Sequence, residues 1–399
     1  MTILKNTKRI SCLFLLGLII SCTPTPLERT VTVKNGLDKG RQDETVTVPL
    51  DGLKMEGGGL RDLLVQDTET GEYAFTQLTD TDGDGTTDAL IFKSHVPALS
   101  EKKYRLVAAS QVEVKPHPTI TTYSRFVPER IDDYTWENDR VAFRTYGPEA
   151  KRLFKEGKRG GTLSSGIDCW LKRVDYPIID KWYKLDKEGK SYHTDHGEGL
   201  DNYHVGSSRG CGGIGIRKDE TLYVSDNFIK YNRLETGPLR TSFELDYAPW
   251  KAGEMLVKEK KRISLDLGNN LSKIEVYFEP PYPEEIVAGL AIPEQEDGLV
   301  NADEEAGWFS FWGKHEDSEL GIGIVAAPEY LNGYTGYRVA EKEKSHLFVH
   351  LKPVDGKIIY YTGFGWKKSG LFENQQQWDE YLACFAAGVA SPLQVSVQK

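Results

Sequence analysis

Almost nowhere in this chain do apolar residues recur at a helical interval; they alternate with polar ones or form short runs, and that pattern commits the fold to β-sheet. Alternation is plain in Thr30-Val31-Thr32-Val33 and in Thr45-Val46-Thr47-Val48-Pro49-Leu50. Short apolar runs occur at Ala89-Leu90-Ile91-Phe92 and Tyr104-Arg105-Leu106-Val107-Ala108. Similar signals continue at residues 140–144, 239–245, 273–278 and 322–325. Helical spacing is confined to residues 375–389, where Trp378, Tyr381, Leu382 and Phe385 share a face, and to residues 149–155. With 39 glycines, 20 tyrosines and 8 tryptophans, strands joined by tight turns fit better than a helical bundle.

Two prolines one residue apart in Lys115-Pro116-His117-Pro118 stop both helix and ladder, which makes this segment the best linker. The strand spacing before it predicts an immunoglobulin-like β-sandwich over residues 31–118. Residues 119–399 carry too many strands for a simple sandwich. A large sandwich of long, curved sheets is expected there, of the galactose-mutarotase and polysaccharide-lyase type.

Lys5, Lys8 and Arg9 precede an apolar run over residues 12–20 that is too short to span a bilayer. It ends in Ile19-Ile20-Ser21-Cys22, which resembles a bacterial lipobox. Residues 1–21 are therefore expected to be a signal peptide, Cys22 the lipidated residue and residues 22–30 a tether containing Pro24 and Pro26. A membrane partner through the lipid anchor follows, with the body at the outer membrane facing the periplasm. Removing residues 1–21 takes away three positive charges and no negative one, so the formal charge of −10 becomes more negative still. Nucleic acid is excluded as an expected partner on that ground. Cys169, Cys211 and Cys384 are an odd set without paired short spacing, which indicates neither a disulfide framework nor a structural zinc site.

Asp80, Asp82, Asp84 and Asp88 stand around a glycine turn in the manner of a calcium loop, but Ile91 occupies the position of the bidentate glutamate. An acidic hairpin turn without metal is an equal reading, and calcium, where bound, would be structural. The densest chemistry lies in Tyr192-His193-Thr194-Asp195-His196-Gly197-Glu198-Gly199-Leu200-Asp201-Asn202-Tyr203-His204, which holds three of the eight histidines. Imidazole exchanges protons near neutral pH and neighbouring carboxylates orient it. The same loop could be a polar surface feature, or a divalent-metal site using His193, His196, Glu198 and Asp201. Upstream, Arg125 and Arg130 sit among aromatics that include Trp136. A guanidinium fork suits a carboxylate or sulfate and an indole suits a sugar face, although ordinary surface ion pairs account for many such arginines. Arg140 and Arg144 are expected to share a strand face, as are Asp168, Trp170 and Lys172. The glycine-rich stretch at 206–213 contains Arg209 and reads as close backbone packing.

The order Arg125-Phe126-Val127-Pro128-Glu129-Arg130, Trp136-Glu137-Asn138-Asp139-Arg140, Ser165-Gly166-Ile167-Asp168, the histidine loop and Thr236-Gly237-Pro238-Leu239-Arg240 resembles a family of lipoproteins of unknown-function domain type. These occur in polysaccharide-utilising Gram-negative bacteria, and the likeness covers nearly the whole chain after Cys22. In function the family is similar to the ulvan oligosaccharide dehydratase. That resemblance implies removal of water from a terminal glucuronic or iduronic acid of an acidic oligosaccharide, leaving a 4,5-unsaturated uronate for downstream unsaturated-uronyl hydrolases. Such a reaction needs a cation at the carboxylate, a base at C5 and an acid at the C4 hydroxyl. The first falls to Arg125, Arg130 or Arg209, the second to His193 or His196, and the third to Tyr192, Tyr203 or His204. Trp136 and Trp170 are the candidate sugar platforms. Two rival classes remain: a non-catalytic glycan-binding lipoprotein, and a hydrolase or epimerase using Glu198 and Asp201.

Overall fold

Val31 and Val33 lie on one face of the strand Arg29–Lys34 and are fully buried, because the facing sheet supplies Val46, Val48, Leu90 and Phe92 to the same core. The structure is a computed structural model that describes residues 29–51, 63–293 and 298–398. The signal segment, Cys22 and most of the tether lie outside the described residues. The N-terminal sandwich packs a five-stranded sheet on a three-stranded one built from Arg41–Pro49, Gln77–Thr79 and Ala89–Val96. The five-stranded sheet does not close within residues 31–118. Its outer strand is Gln394–Gln398, the last of the chain, which pairs antiparallel with Arg29–Lys34 so that Val31 faces Val397 and Val33 faces Val395.

Side chains fasten this sandwich to the larger body. The Gln77 amide donates to the Glu235 carboxylate (2.8 Å) and the Arg240 carbonyl (2.9 Å), and its oxygen accepts from the Leu239 and Arg240 amides. Arg262 donates to the Thr81 carbonyl at 2.8 Å and the Asp82 carbonyl at 2.5 Å, holding the acidic hairpin against the body. The polar atoms of the Gln77 side chain are thereby all paired across the junction.

The larger body is β throughout its core, as expected. An eight-stranded antiparallel sheet runs from Phe228–Thr236 at one edge to Gly298–Asp303 at the other. Its inner face, with Phe243, Ile263, Ile274 and Phe364, shares a single core with two five-stranded sheets. One of these is built from Tyr123–Val127, Asp133–Glu137, Ala142–Thr145, Asp168–Lys172 and Gly199–Leu200; the other contains Cys211–Lys218, Ile286–Ala291 and His346–Leu351. A parallel bridge between Ile167 and Gly210 joins the two.

Three α-helices complete the described residues: α1 (Pro148–Lys155), α2 (Ile179–Lys187) and α3 (Gln375–Ala390). The spacing of residues 375–389 anticipates α3, whose first turn is capped by the Asn374 side chain accepting from the Gln377 amide at 3.1 Å. Its Trp378 and Leu382 cover the outer face of the eight-stranded sheet at Gly323, where a Cβ would come within 2.7 Å of Leu382. None of these helices is long and apolar enough to cross a membrane. Helix α2 has no cap of its own. The carboxylate of Glu137, fully buried on the adjacent sheet, accepts from the Ile178 and Ile179 amides and from Lys172 Nζ at 3.0 Å, so its negative charge sits at the helix N-terminus.

Candidate active site

Asp133, Arg144 and Asp168 stand on neighbouring strands, on the sheet face that α2 and the histidine loop cover. Register pairs Arg144 with Asp168 directly. Arg144 donates from Nε (2.9 Å) and Nη2 (2.5 Å) to Asp168 Oδ2, and from Nη2 to Asp201 Oδ2 at 2.8 Å; Asp133 lies 3.9 Å away. All four side chains are buried. Three carboxylates around one guanidinium, with little water, cannot all keep their charge cheaply. Burial pushes Asp133 up to about 7 against the pull of Arg144 and Arg130. Burial and the neighbouring Asp201 charge lift Asp168 to about 7 as well, against Arg144, and burial raises Asp201.

Tyr192 roofs this cluster. Its ring is buried and stacks on Trp170 at 5.1 Å, and Trp170 in turn stacks on Trp182 of α2. Its hydroxyl accepts from Arg130 Nε at 2.9 Å and, at 3.4 Å, from Arg144 Nη1. Arg130 is half-buried and forms no ion pair among the described residues. Next in the chain, His193 turns outward and is 56% exposed. Its Nδ1 lies 2.6 Å from the Asp201 carbonyl oxygen and 3.6 Å from the Asp201 carboxylate. A donor bond to that carbonyl leaves Nε2 as the lone-pair nitrogen facing solvent. The loop can come this close because of Gly199, at φ +119°, where a Cβ would lie 1.9 Å from the Leu171 carbonyl oxygen.

The remaining residues of the loop take different places. His196 is exposed and approaches only the Ser191 carbonyl, at 3.2 Å. Tyr203 and His204 lie apart from His193, at a second recess bounded by the hairpin of strands Trp308–His315 and Ser318–Val325. There His204 Nε2 contacts Glu343 Oε1 at 2.6 Å and His315 Nε2 contacts Asn202 Oδ1 at 3.0 Å. Glu198 is held by Lys181, Tyr176 and Trp182 Nε1, so it does not pair with the buried Asp201. Among the described residues His193, His196, Glu198 and Asp201 do not gather three ligand atoms. Asp80, Asp82 and Asp88 do, within 4.8 Å, an all-oxygen set suited to a hard cation; Asp84 accepts from the Thr86 amide instead.

Several expectations need correction. Trp136 and Trp170 are fully buried and present no face to a sugar; Trp136 donates its Nε1 hydrogen to Ser272 Oγ inside the core. Arg209 is 1% exposed and donates to Ser165 Oγ and the Ile214 carbonyl, out of reach of substrate. Arg125 is engaged by Asp180 at 2.5 Å and Glu129 at 2.7 Å. Arg140 precedes its strand and contacts Asp139 and Asn270, so it shares no site with Arg144. Asp133 and Arg144 carry the cluster; the sequence predicts for Arg144 only a strand face shared with Arg140 and does not single out Asp133. Their one signal is a charged residue on a strand otherwise built for burial.

The chain is 43% identical over 385 residues, 96% of each chain, to a protein of Formosa agariphila described as uncharacterized protein P7. An α-mannosidase from Enterococcus faecalis superposes on 93% of this chain with a TM-score of 0.50 at 11% identity, a likeness of fold alone. The chain spans 46% of that enzyme's length. A family model described as a domain of unknown function, DUF4861, matches residues 33–395, and the chain belongs to that family.

Proposed function

We propose that this protein is a carbohydrate-processing hydro-lyase that removes water from a terminal glucuronic or iduronic acid of an acidic oligosaccharide. The observation that carries the reading is the pairing of Tyr192 and His193: adjacent residues, one clamped by two arginines, the other pinned through Nδ1 with its second nitrogen open. His193 Nε2 takes the C5 proton. Charge then builds on the carboxylate attached to C5, and Arg130, whose terminal nitrogens have no hydrogen-bond partner among the described residues, meets it. The C4–O bond breaks as C4=C5 forms, and the departing hydroxyl leaves as water with a proton from Tyr192. The Tyr192 oxygen already accepts from guanidinium groups, so its hydrogen is what it has to give. Proton return from His193 to Tyr192 through solvent closes the cycle.

Hydrolysis by Glu198 and Asp201 is the weaker reading, because one is engaged by three donors and the other is buried on Arg144. The lipobox at Cys22 extends the proposal to a lipid-anchored protein at the outer membrane, its body in the periplasm. Incubation with uronate-terminated oligosaccharides tests it: a new ultraviolet band of a conjugated alkene with loss of one water is expected. Chain shortening would mean a hydrolase, and unchanged ligand with retained affinity a binding protein.

A further inference from the structure

The recess beside the histidine loop is a cavity of about 250 Å³. It opens where the strand Ile286–Ala291 ends, facing the hairpin at residues 313–320, and residues 202–208 cover it. Phe311 and Ile322 give it apolar walls. Its rim is polar and already oriented: Glu343 fixes His204, and Asn202 fixes His315. Glu343 also accepts from the Ser207 amide at 2.6 Å, and a Cβ on Gly206 would fall 2.1 Å from its carboxylate carbon, so the chain is shaped around this acid. Two cations complete the rim. Lys314 is exposed and makes no ion pair among the described residues, and Lys342 lies 4.0 Å from Glu343.

An apolar wall with convergent hydrogen-bonding groups is the usual make-up of a small-ligand site, and the volume is slightly under the ~300 Å³ at which such sites begin. That is room for one sugar ring rather than a chain. Among the lining residues two lysines stand against one carboxylate, and of the acids beyond His315 Asp317 is taken up by Lys368, which favours a ligand with negative charge. Chain continuity relates the recess to the candidate active site: Asp201 holds His193, and the next three residues line the recess, so the two lie within roughly 10 Å of backbone reach.

We infer that the recess is a subsite for the sugar adjoining the reacting uronate, and that it selects a neighbour bearing an anionic group, carboxylate or sulfate, through Lys314 and Lys342. This rests on the dehydratase reading for what occupies the site next door, but not for binding itself. His204 and His315 serve there as hydrogen-bonding groups to ring hydroxyls.

Calorimetric titration of full-length His193→Ala protein tests it without turnover, using free glucuronic acid and uronate-terminated disaccharides whose second sugar is neutral, carboxylated or sulfated. The charged disaccharides are expected to bind more tightly than the neutral one. Lys314→Ala and Lys342→Ala in the same background should each weaken the charged disaccharides roughly tenfold, about one charge-assisted hydrogen bond, and leave the neutral disaccharide unchanged. Preference for sulfate over carboxylate, or the reverse, identifies the anion. Equal affinity for neutral and charged disaccharides, or lysine variants without effect on them, would overturn the subsite. A wild-type protein that makes no alkene yet shows the lysine-dependent affinity would remove the dehydratase reading and leave the subsite standing.

Discussion

Asp201 serves His193 and Arg144 at once: its carbonyl oxygen lies 2.6 Å from His193 Nδ1, while its carboxylate accepts from buried Arg144 at 2.8 Å. The orientation of an exposed imidazole is thereby set by a buried ion cluster, and disturbing either end should have different consequences.

Removing the imidazole should affect chemistry and little else. His193→Ala is expected to lower turnover by about two to four powers of ten, the range for loss of a general acid or base, with an unchanged melting temperature. His196→Ala should retain near-full turnover, since His196 approaches only a backbone carbonyl at the surface. Steady-state kinetics of the two variants separates them.

Removing the buried cation should affect the fold. Arg144→Ala leaves Asp133, Asp168 and Asp201 without their shared partner, and breaking a buried pair in this way costs about 3–5 kcal/mol. Urea unfolding should show a lower midpoint. A midpoint equal to that of wild type would mean that water reaches the cluster freely.

The same cluster makes stability depend on pH with a definite sign. Asp133 titrates near 3.8 in the unfolded chain and near 7 in the fold, so between those values the folded state holds a proton that the unfolded state has lost. Stability from this group is therefore full below the lower value and falls as pH rises towards the upper one. The melting temperature should drop between pH 5 and pH 8, and Asp133→Asn should reduce that drop. An identical drop in the variant would contradict the burial-driven shift.

The strands were legible because alternation and burial coincide in them: Val31, Val33, Val46 and Val48 all point to one core. What escaped depends on partners distant in the chain. Helix α2 buries Ile178, Ile179, Trp182 and Tyr183 at helical spacing, but the stretch is short and its cap, Glu137, lies 41 residues upstream of Ile178. The histidine loop stood out by density, yet composition alone does not reveal that Asp201 turns inward while His204 turns towards Glu343, 139 residues away. Lys314 and His315 end an ordinary strand, and only the fold brings them to the loop.

The closing strand gives a prediction about the N-terminal sandwich. Deleting residues 394–398 exposes the edge of Arg29–Lys34 and strips Val395 and Val397 from the core around Val31. Hydrogen exchange should show loss of protection in Arg29–Lys34 and Glu101–Ala108, with the amides of the eight-stranded sheet largely unaffected. Uniform loss across both would mean that the two parts unfold as one.

The most direct test of the central claim is the fate of the C5 hydrogen. With an oligosaccharide deuterated at C5 of its terminal uronate, the wild-type protein is expected to form the unsaturated product without deuterium and more slowly than from the unlabelled substrate, and His193→Ala to remove the deuterium about two to four powers of ten more slowly than wild type. Product that retains the deuterium, or a His193→Ala protein that removes it at the wild-type rate, would contradict the assignment of His193 as the proton acceptor.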